Sequence, residues 1–122
     1  MGNTVILIVE DEPLLGKSLQ GNLEDSGFTV PDVITNSENI MPAIVKHKPD
    51  LIILDINLHS FNDGITAAQR VRLLGDTPII YITASRDEET KKLAMTTNPV
   101  DYLLKPFRSE TLLKAVNKAL SR

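Results

Sequence analysis

Short apolar runs typical of β-strands alternate with helical patterns along the whole chain. The runs begin near Thr4, Phe28, Leu51, Pro78 and Val100, about 25 residues apart, and apolar residues at helical spacing lie between them. Strands that alternate with helices pair in parallel through right-handed crossovers. The alternation therefore predicts an α/β protein, (βα)5, whose strands and helices form a three-layer sandwich.

The composition of each run indicates its place in the sheet. The runs at 51–54 and 79–82 are apolar on both faces, as expected of central strands covered by helices. Pro31 lies within the run 28–33 and cannot donate a ladder hydrogen bond, which places that strand at an edge. The run 100–104 alternates more and suits the other edge. We therefore expect a parallel five-stranded sheet of order 2-1-3-4-5, the doubly wound topology called flavodoxin-like.

Length and composition limit the possible functions. A chain of 122 residues has the size of one domain, so we expect residues 1–122 to form a single domain. The absence of cysteine excludes a disulfide scaffold and thiol chemistry. A net charge of −3 provides no electrostatic footprint for direct binding of nucleic acid or a membrane surface. Because no apolar run is long enough for a signal peptide or a membrane span, we expect a cytoplasmic protein.

Polar residues collect where the predicted strands end. In a sheet of this order the ligand lies at the carboxyl ends of the strands, at the switch point between strands one and three. The residues that follow strands one, three, four and five there are Glu10-Asp11-Glu12, Asp55, Thr83-Ala84 and Lys105-Pro106. Adjacent parallel strands are about 4.8 Å apart. The carboxylates of Asp11 and Asp55 should therefore approach each other closely.

The acidic residues at this edge need a partner for their charge. Carboxylates gathered at one place repel one another, and without a counter-ion at least one would have a raised pKa. Mg²⁺ prefers oxygen ligands and is commonly held by one or two carboxylates, so Asp11 and Asp55 with a backbone carbonyl predict a magnesium site. Acidic residues at positions 10–12 also suit a helix N-terminus on electrostatic grounds alone. That explanation does not account for Asp55.

A carboxylate beside a cation suits phosphoryl chemistry. We expect Asp55 to be ionised at neutral pH and to attack a phosphoryl donor directly, forming an acyl phosphate. Mg²⁺, the Lys105 ammonium, the Thr83 hydroxyl and the Ala84 backbone amide can share the charge of the phosphoryl oxygens. Taken singly, Lys105 also suits a solvated strand end and Thr83 an ordinary strand residue. It is the combination that predicts phosphoryl transfer.

Four segments of the chain resemble the receiver domains of response regulators in two-component signalling. These segments are Val5-Ile-Leu-Ile-Val-Glu-Asp-Glu-Pro13, Pro49-Asp-Leu-Ile-Ile-Leu-Asp55, Pro78-Ile-Ile-Tyr-Ile-Thr-Ala84 and Tyr102-Leu-Leu-Lys-Pro-Phe107. The resemblance covers essentially the whole chain. It implies that Asp55 accepts a phosphoryl group from a phosphohistidine on a sensor histidine kinase or a phosphotransfer protein. It also implies that the domain catalyses only its own phosphorylation and slow dephosphorylation, and is otherwise not an enzyme.

The same resemblance assigns further roles. Mg²⁺ would be bound directly by Asp11 and Asp55, by the backbone carbonyl of Asn57, and through water by Glu10. Lys105 would bind the phosphoryl group and precede a cis Pro106.

A switch is implied as well. Thr83 and Tyr102 would form the switch pair, changing the face made by helix four, strand five and helix five, which here includes Lys91 and Met95. The fourth helix, near residues 87–96, has the weakest apolar stripe and suits such a change. The partner controlled would be a downstream protein or an output domain absent from this chain, and the domain would be a monomer or a phosphorylation-dependent dimer.

The loop after Asp55 departs from the commonest pattern of this family. Many receivers have Leu-Pro-x-Met-Asp-Gly there, whereas this chain has Leu58-His-Ser-Phe-Asn-Asp-Gly64, which is one residue longer and lacks the proline. The sequence therefore leaves the conformation of residues 58–63 open. His59, a single histidine in an exposed loop, is expected to have neither a metal-binding nor a relay role.

Three alternatives share parts of this pattern. A flavodoxin-like binder of a flavin or nucleotide would carry a Ser/Thr/Gly-rich phosphate loop after strand one, where this chain has three acids. A phosphatase of the haloacid-dehalogenase type needs Asp-x-Asp after its first strand, whereas Asp55-Ile-Asn57 follows the third. A degenerate receiver that acts only as a protein-interaction module, without phosphorylation, stays open as the alternative function.

Overall fold

Strands and helices alternate along the chain as the sequence predicts. The computed structural model describes residues 3–60 and 62–121. Within these residues the elements are β1 (Ile6–Val9), α1 (Pro13–Asp25), β2 (Val33–Ile34), a 3₁₀ turn (Ser37–Asn39), α2 (Ile40–His47), β3 (Leu51–Asp55), α3 (Asp63–Leu74), β4 (Ile79–Thr83), α4 (Glu88–Met95), β5 (Asp101–Leu104) and α5 (Ser109–Leu120). No helix in this part of the chain combines the length and the apolar character needed to cross a membrane.

The strands form one parallel sheet in the order β2-β1-β3-β4-β5. Alternate strand residues point to opposite faces, so two separate apolar cores form. One core packs α1 and α5 against Ile6, Ile8, Ile53 and their neighbours. The other packs α2, α3 and α4 against the opposite face. The three-layer doubly wound fold and its strand order are therefore confirmed.

The second strand is shorter and begins later than the sequence suggested. We expected a strand over residues 28–33, but only Thr29 makes an isolated bridge, to Val5, and the paired strand is Val33–Ile34. Pro31 has no amide proton, and the side chain of Asp32 accepts the hydrogen bond from the Val33 amide, so the chain between the bridge and the strand does not join the ladder. The edge position predicted from Pro31 is confirmed.

Candidate functional site

Three carboxylates meet at the carboxyl ends of β1 and β3. Val9 pairs with Leu54, so the residues that follow β1 lie beside Asp55. Glu10 and Asp55 are buried, and Asp11 is half-buried. One carboxylate oxygen from each of Glu10, Asp11 and Asp55 lies within 4.8 Å of the others. The close approach expected of Asp11 and Asp55 is confirmed, and we call these three residues together with Lys105 the acidic pocket.

Lys105 closes the acidic pocket from the far side of the sheet. Its Nζ lies 2.8 Å from Glu10 Oε1 and 3.2 Å from Asp55 Oδ2, and it donates a hydrogen bond to the latter. Its backbone amide donates to the Thr83 carbonyl at 2.8 Å, and the peptide bond to Pro106 is cis, as expected. The sequence predicted that Lys105 reaches this pocket. It did not indicate the shorter contact with Glu10, which was considered only as a ligand of Mg²⁺ through water.

The electrostatics of the pocket are unbalanced towards negative charge. Burial, and then the charge of Glu10, raise the pKa of Asp55 to about 7, although the Lys105 ammonium acts in the opposite direction. Burial and Glu10 also raise the pKa of Asp11. Burial alone would lower the pKa of Lys105, but its hydrogen bond to Glu10 and the two nearby carboxylates raise it. Without a further cation, Asp55 is therefore less fully ionised at neutral pH than the sequence led us to expect.

The oxygen atoms of the pocket fit a divalent cation. Glu10 Oε1 is fully buried and is paired with the Lys105 ammonium at 2.8 Å. The other Glu10 oxygen accepts from the Glu12 amide at 3.0 Å. Asp55 Oδ1 accepts from the Asn57 amide at 3.2 Å, which keeps Asn57 at the edge of the pocket. A set of carboxylate oxygens with excess negative charge is the donor set that Mg²⁺ prefers.

Thr83 ends β4 next to the acidic pocket. Asp55 pairs with Ile82 across the sheet, so Thr83 lies one residue beyond the level of Asp55. The hydroxyl oxygen of Thr83 is buried and accepts a hydrogen bond from the Ser85 amide at 3.0 Å. Ala84 follows at an exposed position. The structure therefore brings Thr83 and Ala84 to the same sheet edge as Asp55, as predicted.

Tyr102 lies on β5 with its ring turned towards the sheet. It pairs with Tyr81, and the two ring centroids are 6.2 Å apart in an edge-to-face arrangement. Lys91 Nζ lies 5.6 Å from the centroid of the Tyr102 ring. The Tyr102 hydroxyl oxygen is buried and makes no hydrogen bond. Burial, and then the nearby acidic residues at the start of α4, raise its pKa.

Tyr81 supplies a contact that the sequence analysis missed. Its hydroxyl lies 2.6 Å from Thr97 Oγ1, which in turn donates to the Ala94 carbonyl at 2.6 Å. Because the Thr97 proton is already used, the Tyr81 hydroxyl is the donor of the first bond. We call Tyr81, Tyr102, Thr97 and Lys91 the α4–β5 region. A tyrosine in a central strand fits the pattern of an apolar residue, so nothing in the sequence indicated this link.

The sequence left the loop after Asp55 open. In its described residues, 56–60 and 62–63, side chains of the loop bind its backbone, and Phe61 lies outside the described residues. The backbone amides of Leu58, His59 and Ser60 all donate to the carboxylate of Asp63. The amide of Gly64 donates to the Ile56 carbonyl at 2.7 Å. A Cβ on Gly64 would overlap the Asp55 carbonyl oxygen and lie 2.8 Å from Ile56 Cα. Glycine is therefore required where α3 passes over the end of β3.

His59 bridges two parts of the molecule. Its Nδ1 lies 3.8 Å from Asp11 Oδ2, and its Nε2 lies 2.7 Å from Asn36 Oδ1. Asn36 precedes the 3₁₀ turn after β2. Nothing in the sequence indicated that this loop histidine would reach the acidic pocket, because the loop differs from the commonest pattern of the family it resembles.

A doubly wound parallel sheet with an acidic pocket and a lysine at its carboxyl edge is the arrangement of a receiver domain. A family model described as the response regulator receiver domain matches residues 6–117. The chain belongs to this family.

Individual relatives agree with the family match. The chain is 34% identical over 117 residues to the transcriptional regulatory protein BaeR of Escherichia coli, covering 96% of this chain and 48% of BaeR. A crystal structure of a two-component response regulator from Clostridium difficile is 32% identical and has a TM-score of 0.91, with 98% of each chain covered.

A structure in an activated state is also similar. The BeF3-activated N-terminal receiver domain of Klebsiella pneumoniae RstA is 28% identical and has a TM-score of 0.89, with 98% of this chain and all of that domain covered. Overall, the chain spans about half the length of the curated relatives it matches.

Proposed function

We propose that Asp55 is the phosphoacceptor of this receiver domain and takes a phosphoryl group from a phosphohistidine on a sensor histidine kinase or a phosphotransfer protein. The observation that carries the proposal is the acidic pocket itself. Asp55 ends a buried strand, its two oxygens contact the Lys105 ammonium and the Asn57 amide, and two further acids lie beside it. Burying a carboxylate beside two other acids costs folding free energy, and groups perturbed in this way are commonly functional.

In the transfer step, an Asp55 carboxylate oxygen forms a bond to phosphorus as the bond from phosphorus to the donor nitrogen breaks. Lys105 neutralises charge on the phosphoryl oxygens from its position beside Asp55 Oδ2. The cation expected is Mg²⁺, which Asp11, Asp55 and the Asn57 backbone carbonyl would hold, with Glu10 assisting through water. When bound, it supplies positive charge for the carboxylates and the phosphoryl oxygens.

The fraction of Asp55 in its reactive, ionised form depends on the charges around it. Burial and Glu10 hold its pKa near 7. A cation or a phosphoryl donor bound with its counter-ion lowers that pKa, because opposite charge favours the carboxylate. At neutral pH about half of the Asp55 carboxyl groups are then ionised in the free protein, and cation binding would raise that fraction.

Thr83, Ala84 and Tyr102 are proposed to convert phosphorylation into a change at the surface. The Thr83 hydroxyl and the Ala84 amide lie at the same sheet edge as Asp55 and are proposed to hold phosphoryl oxygens. When the Thr83 hydroxyl moves from the Ser85 amide to the phosphoryl group, the loop before α4 loses a tether. The Tyr102 ring and the face of α4, β5 and α5 then adjust. Phosphorylation need favour one of two existing states by only a few kcal/mol.

The partners follow from the same proposal. We propose that residues 1–122 act as one cytoplasmic signalling domain, not as an enzyme with another substrate, and control a downstream protein or an output domain. The relative BaeR is named as a transcriptional regulatory protein, which supports an output beyond the receiver domain. The domain is proposed to be a monomer or a phosphorylation-dependent dimer.

Phosphorylation by a small donor tests the proposal. With acetyl phosphate and Mg²⁺, intact-mass spectrometry should find one added phosphoryl group, and fragmentation of the borohydride-reduced protein should locate it at Asp55. Asp55→Asn should abolish the adduct, whereas the exposed Asp25→Asn on α1 should leave it unchanged. If no adduct forms, or if Asp55→Asn forms an equal one, Asp55 is not the phosphoacceptor and the domain is a protein-interaction module.

The switch is tested separately with beryllofluoride, a mimic of the phosphoryl group. The structurally similar RstA domain is described as BeF3-activated. We expect the amide resonances of Thr83, Ser85 and α4 to shift on addition of beryllofluoride and Mg²⁺. Binding of the mimic without shifts in α4 and β5 would show that the domain does not switch through this face.

A further inference from the structure

Arg72, in the last turn of α3, is surrounded by backbone carbonyl groups. Its Nε donates to the Thr97 carbonyl at 2.7 Å, and its Nη1 donates to the Thr77 carbonyl at 2.8 Å. Longer contacts reach the carbonyls of Gly75 and Asn98. None of the ion pairs within the described residues involves Arg72. The guanidinium therefore uses its donors to join the end of α3 to the end of α4 and to the loop before β4.

The C-terminal end of α4 is held a second time by Tyr81. Thr97 is buried, and its hydroxyl donates to the Ala94 carbonyl and accepts from the Tyr81 hydroxyl. The amide of Thr97 also donates to the Ala94 carbonyl. Thr97 is thus attached through its carbonyl to Arg72 and through its hydroxyl to the middle of β4. None of these contacts passes through Thr83 or the acidic pocket.

The N-terminal end of α4 depends on Thr83 instead. The side chain of Asp87 accepts hydrogen bonds from the amide and the hydroxyl of Thr90, in the first turn of the helix. The amide of Asp87 donates to the Ser85 hydroxyl oxygen, and the amide of Ser85 donates to the Thr83 hydroxyl oxygen. The hydroxyl that is proposed to turn towards the phosphoryl group therefore holds the start of α4 through a single chain of hydrogen bonds.

We propose that Arg72 is a positioning residue of the switch, which holds the C-terminal end of α4 in place so that phosphorylation moves only its N-terminal end. A helix that is released at one end and held at the other pivots about the held end. The inference rests on the proposed function, because Thr83 is the group that responds to the phosphoryl group. A partner that distinguishes the two states would then contact the N-terminal half of α4, since the exposed Met95 at the held end is presented in both.

Amide hydrogen exchange in the free protein tests the two attachments without a phosphoryl group. Arg72→Met keeps an unbranched side chain but removes every donor, and it should speed exchange at residues 94–98 about fivefold or more while changing residues 90–92 less than about twofold. Thr83→Val keeps the shape of the side chain but removes the hydroxyl, and it should have the converse effect. Arg70→Met is the matched control and should change neither end. Arg70 is exposed on the same helix and makes no hydrogen bond or ion pair with the described residues.

A more conservative variant separates the hydrogen bonds of Arg72 from a general loss of stability. Arg72→Lys keeps a cationic donor and should restore part of the protection at residues 94–98 that Arg72→Met loses. A general loss of stability would instead speed exchange at both ends of α4 alike. Comparison of the two ends within one protein therefore reports the attachment itself.

Beryllofluoride with Mg²⁺ then tests the movement. In the wild type, the amide resonances of residues 90–92 should shift about twofold or more further than those of residues 94–98, because only the first group is released. In Arg72→Met the shifts at residues 94–98 should grow towards those at residues 90–92. Arg70→Met should reproduce the wild-type pattern.

The outcomes separate this inference from the proposed function. Exchange at residues 94–98 that is no faster in Arg72→Met than in Arg70→Met would show that Arg72 does not hold α4. Equal shifts at both ends of α4 in the wild type would overturn the pivot and leave the proposed switch intact. Bound mimic that shifts neither end would overturn the switch and the pivot together. Phosphorylation of Asp55 is measured by mass and does not depend on any of these results.

Discussion

The acidic pocket and the α4–β5 region lie at neighbouring parts of the same sheet, but different interactions hold them. The acidic pocket consists of buried and half-buried charges, with three neighbouring carboxylates of which two contact one ammonium. The α4–β5 region consists of two tyrosine rings in edge-to-face contact and one chain of neutral hydrogen bonds. The contribution of the acidic pocket to the free energy of unfolding therefore depends on pH and on cations. The contribution of the α4–β5 region depends on which tyrosine hydroxyl has a hydrogen-bond partner.

This difference suits separate roles for the acidic pocket and the α4–β5 region. The acidic pocket is fixed by the ends of strands inside the sheet, so its groups keep their positions while their charge changes. In the α4–β5 region, one tyrosine hydroxyl is bonded to the end of α4 and the other is buried without a partner. A buried hydroxyl without a partner, such as that of Tyr102, is stabilised if it moves to a position where it can form a hydrogen bond. If the proposed function holds, charge changes at the acidic pocket and the response is expected in the α4–β5 region, where one hydroxyl can change its contacts.

The largest effect should come from the backbone that supports the acidic pocket. Gly64→Ala should lower the free energy of unfolding by about 3 kcal/mol or more, because the new Cβ would overlap the backbone of Asp55 and Ile56, which cannot rotate away. Urea denaturation followed by circular dichroism measures this.

The control for this change is another helical glycine. Gly21 in α1 has nothing within 4 Å of an added Cβ, so Gly21→Ala should stabilise the protein by about 0.5–1 kcal/mol. If Gly64→Ala did not lower the free energy of unfolding, α3 would not approach the end of β3 as closely as the structure shows. The placement of the loop that carries His59 would then be wrong as well.

The next effect is the dependence of stability on pH. The pKa of Asp55 is raised from 3.8 to about 7 in the folded protein. A proton therefore binds the folded state more tightly than the unfolded state. The stability that this proton provides is fully present below pH 3.8 and is lost as the pH rises through about 7. Relative to Asp55→Asn, the metal-free wild type should lose about 2 kcal/mol of unfolding free energy across this window.

Denaturation of both proteins at a series of pH values, with and without Mg²⁺, checks this expectation. Mg²⁺ should reduce the loss, because an ion that binds only the folded state stabilises it by mass action. Parallel pH profiles for the wild type and Asp55→Asn would mean that the pKa of Asp55 is not raised in the folded protein. The acidic pocket would then resemble the α4–β5 region in its insensitivity to pH.

The sequence predicted the parts of this site that depend on strand ends. Asp11, Asp55, Thr83 and Lys105 could be placed together because parallel strands end at one edge, and that edge follows from the strand order. Pro31 gave the edge strand correctly but not its start, because a proline excludes one ladder bond without specifying where pairing resumes.

The features that the sequence did not predict are side-chain contacts across loops. The link between His59 and Asn36 joins residues 23 apart through two loops, and neither has a spacing pattern. The bond from Tyr81 to Thr97 is hidden for another reason, since a buried strand residue reads as apolar whether or not its hydroxyl has a partner. Hydrophobic patterning reports which face a residue occupies, but not which polar atom it meets.

A smaller effect is expected inside the α4–β5 region. Tyr81→Phe removes the hydroxyl that donates to Thr97 and should lower the free energy of unfolding by about 1 kcal/mol. Hydrogen exchange should also become faster in the last turn of α4, since that turn loses its bond to β4. Unchanged exchange there would show that Tyr81 does not hold α4 in place.

The smallest effect should have the opposite sign. The Tyr102 hydroxyl is buried without a hydrogen bond, so Tyr102→Phe removes a polar atom that has lost its contact with water and gained none with protein. The free energy of unfolding should rise by about 0.5 kcal/mol or stay unchanged. The ring contacts with Tyr81 and Lys91 remain in this variant, so the comparison with Tyr81→Phe isolates the two hydroxyls. A loss as large as that of Tyr81→Phe would mean that the Tyr102 hydroxyl has a partner in solution, and the two tyrosines would then hold the α4–β5 region equally.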